Sequence, residues 1–83
     1  MEQKKVGIIT HFYDKLSVAI ILLEDTILLS DLLHIKGDQT DFEQPLISMQ
    51  IHHADVKTAK KGESVGVKLI EPARAGDLVF KVV

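Results

Sequence analysis

The chain contains no cysteine, which excludes a disulfide framework, a thiolate zinc site and a cysteine nucleophile. It has no long apolar run. The longest, Val18 to Leu23, falls far short of the ~20 residues that a membrane-spanning helix needs. No secretory leader is visible, because Met1-Glu2-Gln3-Lys4-Lys5 leads straight into an alternating segment. Cytoplasmic residence without membrane attachment is therefore the expectation. Charge of one sign is not in excess: ten Lys and Arg against twelve Asp and Glu give a net charge of −2, so bulk attraction to nucleic acid or anionic lipid is not expected.

Several chemical signatures are missing as well. There is no Gly-x-x-x-x-Gly-Lys-Ser/Thr loop to cradle phosphates. None of Ser17, Ser30, Ser48 and Ser64 lies in a Gly-x-Ser-x-Gly elbow. Asp38, Asp41 and Glu43 lack the spacing of a calcium loop and read as a solvated acidic turn. His52 and His53 are neighbours, so on a strand they would point to opposite faces and could not share a metal. Spacing gives no support to a site built from His11 and His34. The chain alone is expected to be non-enzymatic, with no cofactor and no metal.

What is present is alternation. The 83 residues are 46% hydrophobic and 27% charged, which fits one small folded domain, residues 1–83, rather than a disordered tail. Period-two segments recur at Val6–Phe12, Ser17–Leu23, Leu32–Lys36, Asp41–His53, Glu63–Ile70 and Leu78–Val83, with a short piece at Thr26–Leu29. Ser17–Leu23 is apolar on both faces and reads as a strand covered on both sides. Pro45 removes a ladder donor, which places its strand at an edge or a bulge. Residues 54–61 break the alternation and read as a loop or one helical turn.

Six or seven strands and no convincing helix predict an all-β fold. A small all-β chain must hide its sheet edges, and closure removes them; the expectation is a small closed antiparallel β-barrel. The predicted core is Val6, Ile8, Val18, Ile20, Leu22, Leu33, Ile35, Ile47, Met49, Ile51, Val65, Val67, Leu69, Leu78 and Phe80. Three turns share a grammar, with a turn residue and an acid placed just before a strand: Ser30-Asp31, Gly62-Glu63 and Gly76-Asp77. Glycine supplies positive φ there, and the acid accepts backbone N–H groups.

The order of these signals resembles a known module. Ile27 to Gly37, Ala59-Lys60-Lys61-Gly62-Glu63-Ser64-Val65-Gly66-Val67 and Arg74-Ala75-Gly76-Asp77-Leu78-Val79 are similar to the domain II barrel of translational GTPases such as elongation factor Tu. The chain also resembles short translation elongation factor-like proteins and the C-terminal barrel of the collagenase-like peptidase family, through Val6–Phe12, Thr40-Asp41-Phe42, Ser48–Ile51 and Glu71–Asp77. The resemblance implies a closed barrel of six or seven strands. It carries neither GTPase nor peptidase activity, since a P-loop is missing and the catalytic part of the peptidase family lies outside this barrel.

Aligned on Gly62-Glu63, the tRNA-end pocket of the elongation factor barrel falls at Gln50, His53 and Lys68. The family would have an acid, an arginine and a leucine at these positions, so all three depart from its pattern. Lys57, Lys60, Lys61 and Lys68 gather around the mid-chain loop and the strand after it; the group reads as a solvated loop that keeps an edge from pairing, or as a phosphate- or acid-facing patch. The function implied is a free-standing binding module for tRNA, rRNA or a protein, through Gln50, His53, Lys60, Lys61 and Lys68. The alternative is a detached accessory barrel that docks onto a separately encoded peptidase-like or RNA-modifying catalytic subunit.

Overall fold

The computed structural model describes residues 2–83. Among them are ten strands and no helix: β1 (Gln3–Tyr13), β2 (Val18–Leu23), β3 (Ile27–Leu28), β4 (Leu32–Lys36), β5 (Asp41–Pro45), β6 (Met49–Ile51), β7 (Ala54–Val56), β8 (Thr58–Ala59), β9 (Ser64–Lys68) and β10 (Leu78–Val82). Eight form one antiparallel sheet in the order β5-β4-β10-β1-β2-β9-β6-β7, and β3 pairs with β8 in a separate ribbon. The all-β expectation holds. Two details of the sequence reading are corrected: residues 54–61 hold β7 and β8 rather than a helical turn, and Asp41–His53 is two strands at opposite ends of the sheet.

The expected closure is not made by strand pairing. β5 and β7 are the ends of the sheet and are not paired with each other. Instead, the side-chain amide of Gln44, 4% exposed, spans from β5 to the chain leaving β9. Its Nε2 donates to Lys68 O at 3.0 Å, and its Oε1 accepts from Ile70 N–H at 2.8 Å. β5 and β9 are separated by four strands in the sheet order, so this contact requires the sheet to curl round on itself. The physical reason for the open ladder sits next door: Pro45 has no N–H to offer a further strand.

Two bulges in β1 decide which residues enter the core. The register slips between Lys5 and Gly7 against β10, and between Ile9 and His11 against β2. Each extra residue reverses the alternation. Val6 and Ile9 are therefore buried, while Ile8 is only half-buried. In β2 the inward set is Ala19, Ile21 and Leu23, leaving Val18, Ile20 and Leu22 on the outer face. In β10 it is Val79, not Leu78 and Phe80. Ile47 is 77% exposed, and Leu46 beside it is fully buried. Leu33, Ile35, Met49, Val65, Val67 and Leu69 lie in the core as expected, joined by Ile27, Phe42, Ala59 and Ala73.

The three acid-bearing turns are one device used three times. In each, the acid's N–H bonds back to the carbonyl three residues earlier: Asp31 to Leu28, Glu63 to Lys60 and Asp77 to Arg74. Its carboxylate accepts the N–H of that same earlier residue, at 2.8, 2.7 and 2.9 Å. The residue before the acid has positive φ: Ser30 79°, Gly62 90° and Gly76 96°. That residue's N–H then donates to the carbonyl of a buried apolar residue, whose own N–H returns a bond to the acid's carbonyl. The buried partners are Leu46, Leu23 and Ile9 respectively. Every turn is thus closed internally and clamped to the core by a reciprocal main-chain pair, which satisfies backbone groups that would otherwise be buried without partners.

Candidate functional site

The outer face of β1, β2, β9 and β6 sets the half-buried Val18 and Ile20 and the exposed Leu22 among polar neighbours. Beyond the second bulge, His11 pairs with Ile20 and Tyr13 with Val18. Paired residues share a face, and the rings of His11 and Tyr13 lie 4.3 Å apart between centroids at an interplanar angle of 53°. On the next strand, Lys68 sits opposite Val18, Gly66 opposite Ile20, and Ser64 opposite Leu22; Gln50 of β6 adjoins Gly66. Gly66 has no side chain to place on this face. A Cβ there would lie 3.6 Å from Val18 Cγ1 and 3.7 Å from Ile20 Cδ1, an ordinary contact distance, so the glycine leaves room without being required by it.

The result is a groove of about 490 Å³. Val18, Ile20 and Gly66 form its floor. Tyr13 and Leu16 stand at one end, while Gln50, His52 and His53 stand at the other. Leu16, at the tip of the β1–β2 turn, is 63% exposed. The two ends are shaped by backbone that side chains rarely adopt: Ser17 has φ 55°, His52 51° and His53 65°. His52 and His53 form the two-residue turn between the paired Ile51 and Ala54, a geometry that favours Asn-Gly. A non-glycine residue held in this region costs on the order of 1 kcal/mol or more. Gln50 is oriented by its Nε2, which donates to Asp55 Oδ1 at 2.9 Å.

The five residues singled out from the sequence do not form one patch. Gln50 and His53 line the groove. Lys68, two residues beyond Gly66 on the same strand, lines a neighbouring apolar cleft of about 420 Å³ with Ile47 and Ile70. Lys60 and Lys61 are exposed in the clamped turn before β9 and line neither hollow. The apolar members Leu16, Val18 and Ile20 were missed by the sequence reading, which placed Val18 and Ile20 in the core. The available signal was the pair of apolar faces in β2, one of them carrying small Ala19; a strand apolar on both faces presents one of them outward if nothing covers it.

Elsewhere, two wider clefts of about 570 and 760 Å³ share Gln39, Arg74 and Ala75. Their walls mix Arg74 and Lys36 with Asp14 and Asp38, so charge of neither sign prevails. His34 is occupied structurally: its Nε2–H donates to Asp41 Oδ1 at 2.5 Å, and its Nδ1 lies 2.9 Å from Gln3 Oε1. The bond from His34 holds the Asp41 carboxyl below its ordinary value. The Lys4 ammonium, followed by the Thr26 amide, does the same for Asp25. Among the described residues, no three His, Asp or Glu side chains converge as metal ligands.

No family model matches the chain. An uncharacterized protease of Methanocaldococcus jannaschii is 46% identical over 77 residues, covering 92% of this chain but 19% of that protein. The chain thus spans about a fifth of the length of this relative. Its fold is similar to that of the C-terminal domain of a Geobacillus thermoleovorans protein named as a U32 peptidase, with a TM-score of 0.89 at 13% identity over 96% of this chain and 93% of that one. The selenomethionine variant of the same domain superposes with a TM-score of 0.87, covering 92% and 96% of the two chains. These likenesses back the resemblance to the C-terminal barrel of the peptidase family rather than to elongation factor Tu domain II.

Proposed function

We propose that this chain is a non-enzymatic accessory domain that docks onto a peptidase-like catalytic body, and that it works as a barrel whose seam is held by Gln44. One observation carries the reading. The archaeal relative matches nearly the whole of this chain at 46% identity, yet the match occupies 19% of its length. The same module therefore sits within a longer protease, and the solved C-terminal domain of a protein named as a U32 peptidase has the same fold. Cytoplasmic residence belongs to the same reading.

RNA as the partner has weaker support. Gln50 and His53 reach the groove, but Lys60 and Lys61 lie apart from it, so the five residues do not combine cations and a pocket in one RNA-binding patch. The test uses the archaeal protease with its matching segment deleted. Calorimetric titration of this chain into that truncated protein is expected to show saturable binding at micromolar concentration. Absence of binding, with both proteins folded, would remove the reading.

A further inference from the structure

We infer that His34 is the centre of a proton-operated tie, in which the charge on its ring and the orientation of the Gln3 side-chain amide change together. The tie runs from β1 through β4 to β5, passing over the intervening strand β10.

The imidazole stands on β4 with its side chain 13% exposed. Its part of the sheet is ordered β5-β4-β10-β1. Phe80 of β10 lies opposite His34, and the two rings are 6.2 Å apart between centroids. Past that ring, His34 Nδ1 lies 2.9 Å from Gln3 Oε1 on β1. In the other direction, its Nε2 lies 2.5 Å from Asp41 Oδ1 on β5. Each ring nitrogen thus meets an oxygen that accepts and cannot donate.

Only an imidazolium carries an N–H on both nitrogens. With the Gln3 oxygen turned to the ring, both bonds are made when His34 is charged. A neutral ring keeps one N–H, and the ionised Asp41 claims it, because a bond to a carboxylate is stronger than one to an amide. Nδ1 is then a bare acceptor facing another acceptor. The contact repels until the Gln3 amide turns over and offers its own N–H. Two arrangements therefore satisfy every atom, one for each charge state, and a half-turn of Gln3 separates them. Gln3 is exposed, so the core does not oppose that turn.

The charged surroundings come from three strands. On β5, Glu43 lies opposite His34 and joins Asp41. On β4, Lys36 is two residues on and acts on Asp41 as well. On β1, Lys5 lies opposite Phe80 and is paired with Glu24 at 3.2 Å. Lys4 and Lys81 turn elsewhere, to Asp25 and to the Thr26 carbonyl. Coupling across the tie is already visible in Asp41, whose carboxyl the bond from His34 holds below its ordinary value.

The test is an NMR titration of the isotope-labelled chain from about pH 5 to 8, the range over which an imidazole changes charge. The His34 ring and the Gln3 side-chain amide are expected to shift along one curve with a common midpoint. His11, His52 and His53 supply curves of their own, and Gln3 is expected to follow none of them. In His34→Gln, which cannot titrate, the Gln3 shift should be lost. Asp41→Asn, at an exposed position that does not burden the fold, should move the His34 and Gln3 midpoints together. A Gln3 amide that stays fixed while His34 titrates overturns the inference. So does a Gln3 curve that follows another histidine, persists in His34→Gln or parts from that of His34 in Asp41→Asn. A His34 ring that keeps one charge state over the whole range overturns it too.

Discussion

Gly37 makes room for the carboxylate of Asp77. A Cβ on Gly37 would collide with Asp77 Oδ1, and Asp77 is 7% exposed, so its acid group has little freedom to move aside. That carboxylate closes the last of the three clamped turns by accepting the Arg74 N–H. A glycine at the end of one strand thus supports a turn before another.

Gly37→Ala should destabilise the domain by about 1–3 kcal/mol, because it either overpacks the site or displaces a charge-assisted hydrogen bond. Asp77→Ala should cost a similar amount through the same turn. The double variant should fall well short of the sum, since both changes break one contact. Urea denaturation of the three variants measures this. Strict additivity would show that the two residues act separately.

The turn at Ser30 is the imperfect copy of the device. Gly62 and Gly76 adopt φ of 90° and 96° in open space, whereas Ser30 holds 79° with a side chain attached. Gly62→Ala and Gly76→Ala should each destabilise by about 1 kcal/mol, and Ser30→Gly should stabilise by up to about 1 kcal/mol. Thermal unfolding gives the sign in each case. A destabilised Ser30→Gly would mean that the serine side chain contributes more than its backbone strain removes.

Gln44 bridges β5 to the chain leaving β9. Gln44→Leu keeps the bulk but leaves Lys68 O and Ile70 N–H without their buried partner, at a cost of about 1–3 kcal/mol. Hydrogen exchange at the Ile70 amide should accelerate more than the loss in global stability explains, because the seam opens first. Uniform acceleration over all amides would argue against a local seam.

Acid should weaken the fold through two carboxylates. Asp41 is held low by the bond from His34, and Asp25 by Lys4 and then the Thr26 amide. A depressed carboxylate binds its proton less readily in the folded than in the unfolded state. Its stabilisation is complete above the ordinary value of 3.8 and is lost as pH falls through the lower folded value. Asp25→Asn and Asp41→Asn should therefore flatten the loss of stability below about pH 4. Acid-unfolding curves that superimpose on the parent would refute this assignment.

The sequence alone determined that the chain is all-β, where most strands lie and which turns carry acids, because alternation and turn chemistry are local properties. Leu33, Ile35, Val65 and Val67 enter the core as their period requires. It could not choose the buried face of β2, where both faces are apolar, or foresee that bulges after Lys5 and Ile9 exchange Ile8 for Ile9. The same ambiguity concealed the groove, since Val18 and Ile20 look like core until Ala19 and Ile21 are seen to occupy it. Register, the seam at Gln44 and the buried partners of the three turns were decided by tertiary structure. Each depends on contacts between residues distant along the chain, about which a local pattern is silent.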